Sequence, residues 1–167
     1  ITVTGGNTTS TLTSGTLGAG VETLDASAFQ GNILATVADD NLDSTVTFTG
    51  GDLATDKVLN TVATAATTYA LKSTGVELLD LDINAATATT VSLAAATGVT
   101  GVSVDLAQNT TLITTTVSNV TDEVITLKAV DTTTAAHILA AKLVSATGTA
   151  DTIAFKMGAG TIAAGAK

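Results

Sequence analysis

Val76-Glu77-Leu78-Leu79-Asp80-Leu81 is answered by Val99-Thr100-Gly101-Val102-Ser103-Val104, and then by Glu123-Val124-Ile125-Thr126-Leu127. The steps from Leu81 to Val104 to Leu127 are equal, at about 23 residues, so the same alternating apolar pair returns at a fixed period. A period of this length is the mark of stacked supersecondary units, in which one coil cannot bury its apolar positions alone and neighbouring coils bury them together. Leu79, Leu81, Val102, Val104, Ile125 and Leu127 are therefore the expected buried column.

Working outward, extended segments are expected at Ile1–Thr4, Val21–Ala26, Thr45–Thr49, Val76–Ile83, Thr90–Leu93, Val102–Leu106, Thr111–Val117, Glu123–Val130, His137–Val144 and Thr152–Met157. Their centres fall about a dozen residues apart, the strand-plus-turn spacing of all-β folds, which predicts two strands per coil. Thr, Val and Ile dominate, and their branched Cβ atoms suit the pleated surface of a strand. Gly50-Gly51-Asp52, Asn84-Ala85-Ala86-Thr87 and Gly148-Thr149-Ala150-Asp151 read as turns. The Ala-rich stretches Asp131–Val144 and Val62–Lys72 have helix-forming composition and leave room for one short helix. The sequence thus predicts an all-β solenoid of about 23 residues per coil. It forms one domain over residues 1–167, with 1–60 a less regular or capping region and 75–143 the most regular repeats. A leucine-rich-repeat-like solenoid is the alternative, because Val76-x-x-Leu79-x-Leu81-x-x-Asn84 fits that strand motif.

Composition narrows the chemistry. The chain is 45% hydrophobic but only 2% aromatic, so small aliphatic side chains must fill the core. It has no Cys and no Pro, hence no disulfide and no thiolate metal site. Six lysines stand against 15 acidic residues, a formal charge of −9. Such a surface repels phosphate backbones, which argues against nucleic acid as a partner. No apolar run reaches the length of a membrane span, and the chain opens at Ile1, as expected of a piece of a longer polypeptide. With one His137 and few aromatics, neither a Ser/His/Asp triad nor a sugar-stacking platform is apparent, and no enzyme activity is expected.

Two acidic groups could hold a hard cation. Asp80 and Asp82 alternate with Leu79, Leu81 and Ile83, so both project from one strand face, and Asp105 falls one coil later in the column of Asp82. Stacked carboxylates repel, and calcium, which takes six to eight oxygen ligands, would relieve them. Lys128 is next in that column and could serve Asp105 instead. Asp39, Asp40 and Asp43 form the second group with Asp52 and Asp56. There Gly50-Gly51-Asp52-x-x-x-Asp56 is similar to a glycine-aspartate calcium nonapeptide without its third Gly. A solvated acidic face and ordinary turn chemistry are the alternatives for these positions. Asn7-Thr8-Thr9, Asn109-Thr110-Thr111 and Asn119-Val120-Thr121 match the N-glycosylation triplet, which a Thr-rich chain also produces by chance.

The phrases Gly20-Val21-Glu22-Thr23-Leu24-Asp25-Ala26-Ser27, Gly75-Val76-Glu77-Leu78-Leu79-Asp80-Leu81, Gly98-Val99-Thr100-Gly101-Val102-Ser103-Val104 and Gly148-Thr149-Ala150-Asp151-Thr152-Ile153 resemble the Thr/Ala-rich repeats of bacterial S-layer proteins and RTX-type adhesins. The resemblance implies a right-handed parallel β-solenoid (β-helix or β-roll-like) in an exported protein at the cell surface that associates with itself into a calcium-dependent lattice, with a secretion signal at the C-terminus of the full polypeptide. The alternative it leaves is an adhesin or ligand-binding solenoid module that meets a cell-surface glycan or host ligand.

Overall fold

A computed structural model describes residues 1–18, 20–37, 46–51, 53–60, 68–85, 87–106, 113–130, 137–145 and 153–157. Among these residues there are sixteen strands. The first eight are β1 (Thr2–Gly5), β2 (Thr11–Leu17), β3 (Thr23–Phe29), β4 (Asn32–Val37), β5 (Thr47–Thr49), β6 (Lys57–Asn60), β7 (Thr68–Ala70) and β8 (Lys72–Thr74). The second eight are β9 (Leu78–Asp82), β10 (Thr89–Ser92), β11 (Ala96–Thr97), β12 (Gly101–Leu106), β13 (Thr114–Val120), β14 (Val124–Val130), β15 (Ile138–Leu143) and β16 (Ala154–Met157).

Every pairing between them is parallel. Parallel neighbours cannot be joined by a tight hairpin, so each strand pairs with the strand one coil away. The result is a parallel β-solenoid. A seven-stranded wall, in the order β16-β14-β12-β9-β6-β4-β2, runs its whole length. The other two walls are partial: β1-β3-β5-β8-β11 serves the N-terminal part and β15-β13-β10-β7 the C-terminal part. Two strands per coil is therefore the rule at either end, but the coils around β7 to β11 have three, which corrects the uniform two-strand expectation. The short third strands, two or three residues each, lack the length to show as an alternating pattern.

The register bears out the repeat. Leu79 pairs with Val102 and Val102 with Ile125, while Leu81 pairs with Val104 and Val104 with Leu127. In β9 and β12 alternate residues are buried, and Leu79, Leu81, Val102, Val104 and Leu106 are all at most 3% exposed. Burying each such side chain stabilises the fold by about 1.5–3 kcal/mol. Phe48, Leu24 and Tyr69 extend this core into the other walls. Residues 1–60 contribute six strands to the same sheets.

Corners set the register. Gly50 donates its N–H to the Thr74 carbonyl and Gly75 to that of Thr97, so coils meet backbone to backbone. A Cβ on Gly50 would lie 1.7 Å from the Gly75 oxygen, and Gly75 itself has φ +65. Only glycine fits at Gly50, and the left-handed backbone at Gly75 is one that glycine adopts without strain.

The N-terminal partial wall stops at β11 for a visible reason. β13 is seven residues long, bulges at Asn119 (φ 62), and runs directly into β14 through the turn Thr121–Asp122. The Glu123 carboxylate closes that turn by accepting the N–H groups of Thr121 (2.6 Å) and Asp122 (3.2 Å). Longer strands take up the residues that a third strand would have used.

Among the described residues there is no helix. The helix expected within Asp131–Val144 is corrected by β15, where β-pairing with β13 overrides the helix propensity of Ile138-Leu139-Ala140-Ala141. Lys72, at the end of the other Ala-rich stretch, likewise begins β8. The leucine-rich-repeat alternative fails on the same ground, since the returns from the long wall are strands β10, β13 and β15.

Candidate functional site

The outer face of the long wall carries the first acidic group. Asp80 pairs in register with Ser103, and Asp82 with Asp105, as the alternation requires. The next step departs from expectation. A bulge between Val104 and Asp105 pairs Asp105 with Ala129, which lifts Lys128 out of the Asp82–Asp105 column. Lys128 instead reaches back across the sheet and grips Asp80 at both oxygens, 2.8 and 3.1 Å from Nζ. That hydrogen bond, with the neighbouring carboxylates, holds the Lys128 ammonium above its ordinary pKa against the opposing effect of partial burial. Burial raises Asp82, the nearby charges of Asp105 and Asp80 push the same way, and Lys128 partly offsets them.

Of the second group, Asp39, Asp40, Asp43 and Asp52 lie outside the described residues. Asp56 is fully buried. One carboxylate oxygen accepts the Ile33 N–H at 2.8 Å and the other accepts the Gly51 N–H. Its backbone joins the next coil: the Asp56 N–H donates to Glu77, and its carbonyl accepts from the N–H groups of Glu77 and Leu78. Desolvation, joined by the Asp56 charge, raises Glu77. Asp56 thus ties three levels of the stack together.

A calcium cage needs several convergent oxygens with free lone pairs. Asp56 directs its two oxygens at backbone donors and Asp80 directs both at Lys128. Among the described residues no group of three or more His, Cys, Asp or Glu is arranged to hold a metal ion. Asp56 and Asp80 act as stitches between coils.

The partial walls present hydroxyls. On the C-terminal one, Thr68, Thr90 and Thr116 fall in one column, and Ser92 and Ser118 in the next. On the N-terminal one, Thr49, Thr74 and Thr97 align, with 3.5 Å between the hydroxyls of Thr74 and Thr97. The sequence shows the abundance of Thr but not these columns, because alignment depends on coil lengths set by the corners.

The end of the stack is the other feature. β16 pairs with β14 and brings Phe155 under Ile125 and Met157 under Leu127. Both continue the core columns, yet they are 49% and 38% exposed, and Ile138 and Val144, at the start of β15 and just past its end, are 50% and 59% exposed. Nothing in the repeat pattern signals this, since the pattern gives which way a side chain points and not whether a further coil covers it.

Where the N-terminal partial wall ends, a shallow cleft lies between Leu93–Thr100 and Asn119–Glu123. Its acidic residues are Asp122 and Glu123, and the latter closes its own turn. His137 stands half-buried before β15, away from that cleft. Comparison with known proteins finds no match among family models, curated proteins or solved structures. No helix of the described residues is long and apolar enough to cross a membrane.

Proposed function

We propose that the chain is a structural segment of a bacterial S-layer or related cell-surface protein, working by self-association outside the cell. The observation that carries this reading is β16, which among the described residues is the edge strand of the long wall. There Phe155 and Met157 continue the core columns and are 49% and 38% exposed. A parallel edge with apolar residues beneath it is a template for another coil. The charge distribution suits the same role: residues 1–18 contain no charged side chain, and beyond Asp151 the only charged residues are Lys156 and Lys167. The acidic repulsion of a chain at −9 is thus absent from both terminal stretches.

The test is assembly of the purified protein, followed by sedimentation and electron microscopy. Ordered arrays or filaments are expected, and Phe155→Lys with Met157→Lys should abolish them while circular dichroism stays that of a folded solenoid. A protein that remains monomeric at every concentration would contradict the proposal.

The second reading is an adhesive module, favoured by the Thr and Ser columns on the partial walls. Substituting Thr90 and Thr116 by Lys should then abolish attachment to a glycan surface without affecting assembly. Calcium enters either reading as a stabiliser: addition of a chelator should lower the melting temperature, and unchanged melting counts against it.

A further inference from the structure

The turn between β1 and β2 contains the triplet Asn7-Thr8-Thr9 in a specific shape. The Asn7 side-chain oxygen Oδ1 accepts the Thr9 N–H at 2.9 Å, the Thr9 hydroxyl at 2.7 Å and the Ser10 hydroxyl at 3.3 Å. A backbone N–H can only donate, so the atom it meets is the oxygen, and the amide nitrogen Nδ2 points the other way. The turn is closed by the Ser10 N–H to the Asn7 carbonyl (2.9 Å) and the Asn7 N–H to the Ser10 hydroxyl (3.1 Å). All of Asn7, Thr8 and Thr9 are exposed.

A second triplet, Asn119-Val120-Thr121, has the same letters and a different structure. Asn119 is the half-buried bulge residue of β13, and its Oδ1 accepts from the Ser92 hydroxyl at 3.2 Å. Thr121 directs its hydroxyl to Asp122 and Glu123, away from Asn119, and Val120 between them is 1% exposed. Asn109 lies outside the described residues.

We propose that Asn7 is an acceptor for N-linked glycosylation and that Asn119 is not. The donor class is a glycan carried on a polyprenyl diphosphate, presented by an oligosaccharyltransferase. Asn7 Nδ2 attacks the anomeric carbon of the first sugar and an N–C bond forms. The bond from that carbon to the diphosphate oxygen breaks, polyprenyl diphosphate leaves, and the amide proton passes to a base of the transferase. No oxidant or reductant is needed. The three hydrogen bonds on Oδ1 fix the carboxamide with its nitrogen outward, and the Thr9 hydroxyl supplies the contact that makes the third residue of the triplet matter. The Gly5 and Gly6 corner, at φ +87 and +77, turns the chain out of β1 into this exposed triplet.

The proposal rests on the reading of the chain as an exported protein, but its test does not require export. The folded, full-length chain carrying Asn109→Gln is incubated with a purified oligosaccharyltransferase that reads Asn-x-Thr and its polyprenyl-diphosphate glycan. Conditions are chosen so that a synthetic peptide of residues 1–18 is modified. Intact mass and glycopeptide sequencing should show a single glycan, on Asn7. Thr9→Ala should lose it, Thr9→Ser should restore it, and Asn119→Gln should leave it unchanged. Modification at Asn119 in preference to Asn7, or a folded protein left bare while the peptide is modified, would overturn the proposal. Because assembly is not measured, failure here is separate from failure of the lattice.

Discussion

The coils around β9 and β12 and the last coil around β15 and β16 are made of similar material, yet they differ in burial. Val102 and Val104 are at most 1% exposed, whereas the larger Phe155, in the same inward column, is 49% exposed. Hydrophobicity of the residue does not decide this. Burial in a solenoid comes from having a level on both sides, and among the described residues β16 pairs with β14 alone. Stability should therefore fall from the middle of the stack to its C-terminal end, which the following substitutions test.

The largest difference is expected from placing a charge in the column. Val102→Asp buries an unpaired carboxylate and should cost more than about 4 kcal/mol, enough to unfold the central coils. Phe155→Asp should cost only about 1 kcal/mol, because half of that side chain is already in water. Urea midpoints measure both, and equal losses would show that the columns are not graded in this way.

Next in size is Asp56→Ala. It strands the buried N–H groups of Ile33 and Gly51, each worth about 1–3 kcal/mol when left unpaired. A neutral result would mean that water reaches this corner.

Much of this was legible in advance, and the exceptions have physical causes. The column Leu79–Val102–Ile125 follows from an equal step and a strict alternation, two signals that a sequence carries directly. The position of Lys128 could not be counted from the same step. A one-residue bulge moves everything after it, and bulges leave no compositional mark when the inserted residue is as ordinary as lysine. Helix propensity misread Ile138–Leu143 because the waiting edge of β13 satisfies its backbone as a strand. The sequence leaves Asp56 open between a cation and turn chemistry, because aspartate beside Gly-Gly is written the same way whether its oxygens meet a cation or two backbone N–H groups; in the fold they accept from Ile33 and Gly51.

Smaller effects separate the outer faces. Lys128→Met removes a partly exposed ion pair and should cost about 0.2–1 kcal/mol, less in high salt. The raised Lys128 pKa makes that contribution complete below the ordinary lysine range and lost as pH rises through the folded value. Asp82 has the opposite consequence. Its folded pKa is raised, so the folded state holds the proton more tightly, and stability falls as pH climbs from the ordinary aspartate range through the raised value. Asp82→Asn should flatten that slope and raise the melting temperature slightly at neutral pH. A wild-type melting curve that is level across this acid window would show that Asp82 is well solvated.

The most direct measurement uses the absence of Cys. Ser103 and Thr126 are in-register partners on neighbouring strands of the long wall, so their Cα atoms stand at the strand spacing of about 4.8 Å, within disulfide reach. Ser103→Cys with Thr126→Cys should close an intramolecular disulfide under mild oxidation, while Ser103→Cys with Ile125→Cys, whose side chains face opposite sides, should stay reduced. If the first pair stays open, or the second closes instead, the coils are not stacked in the register described.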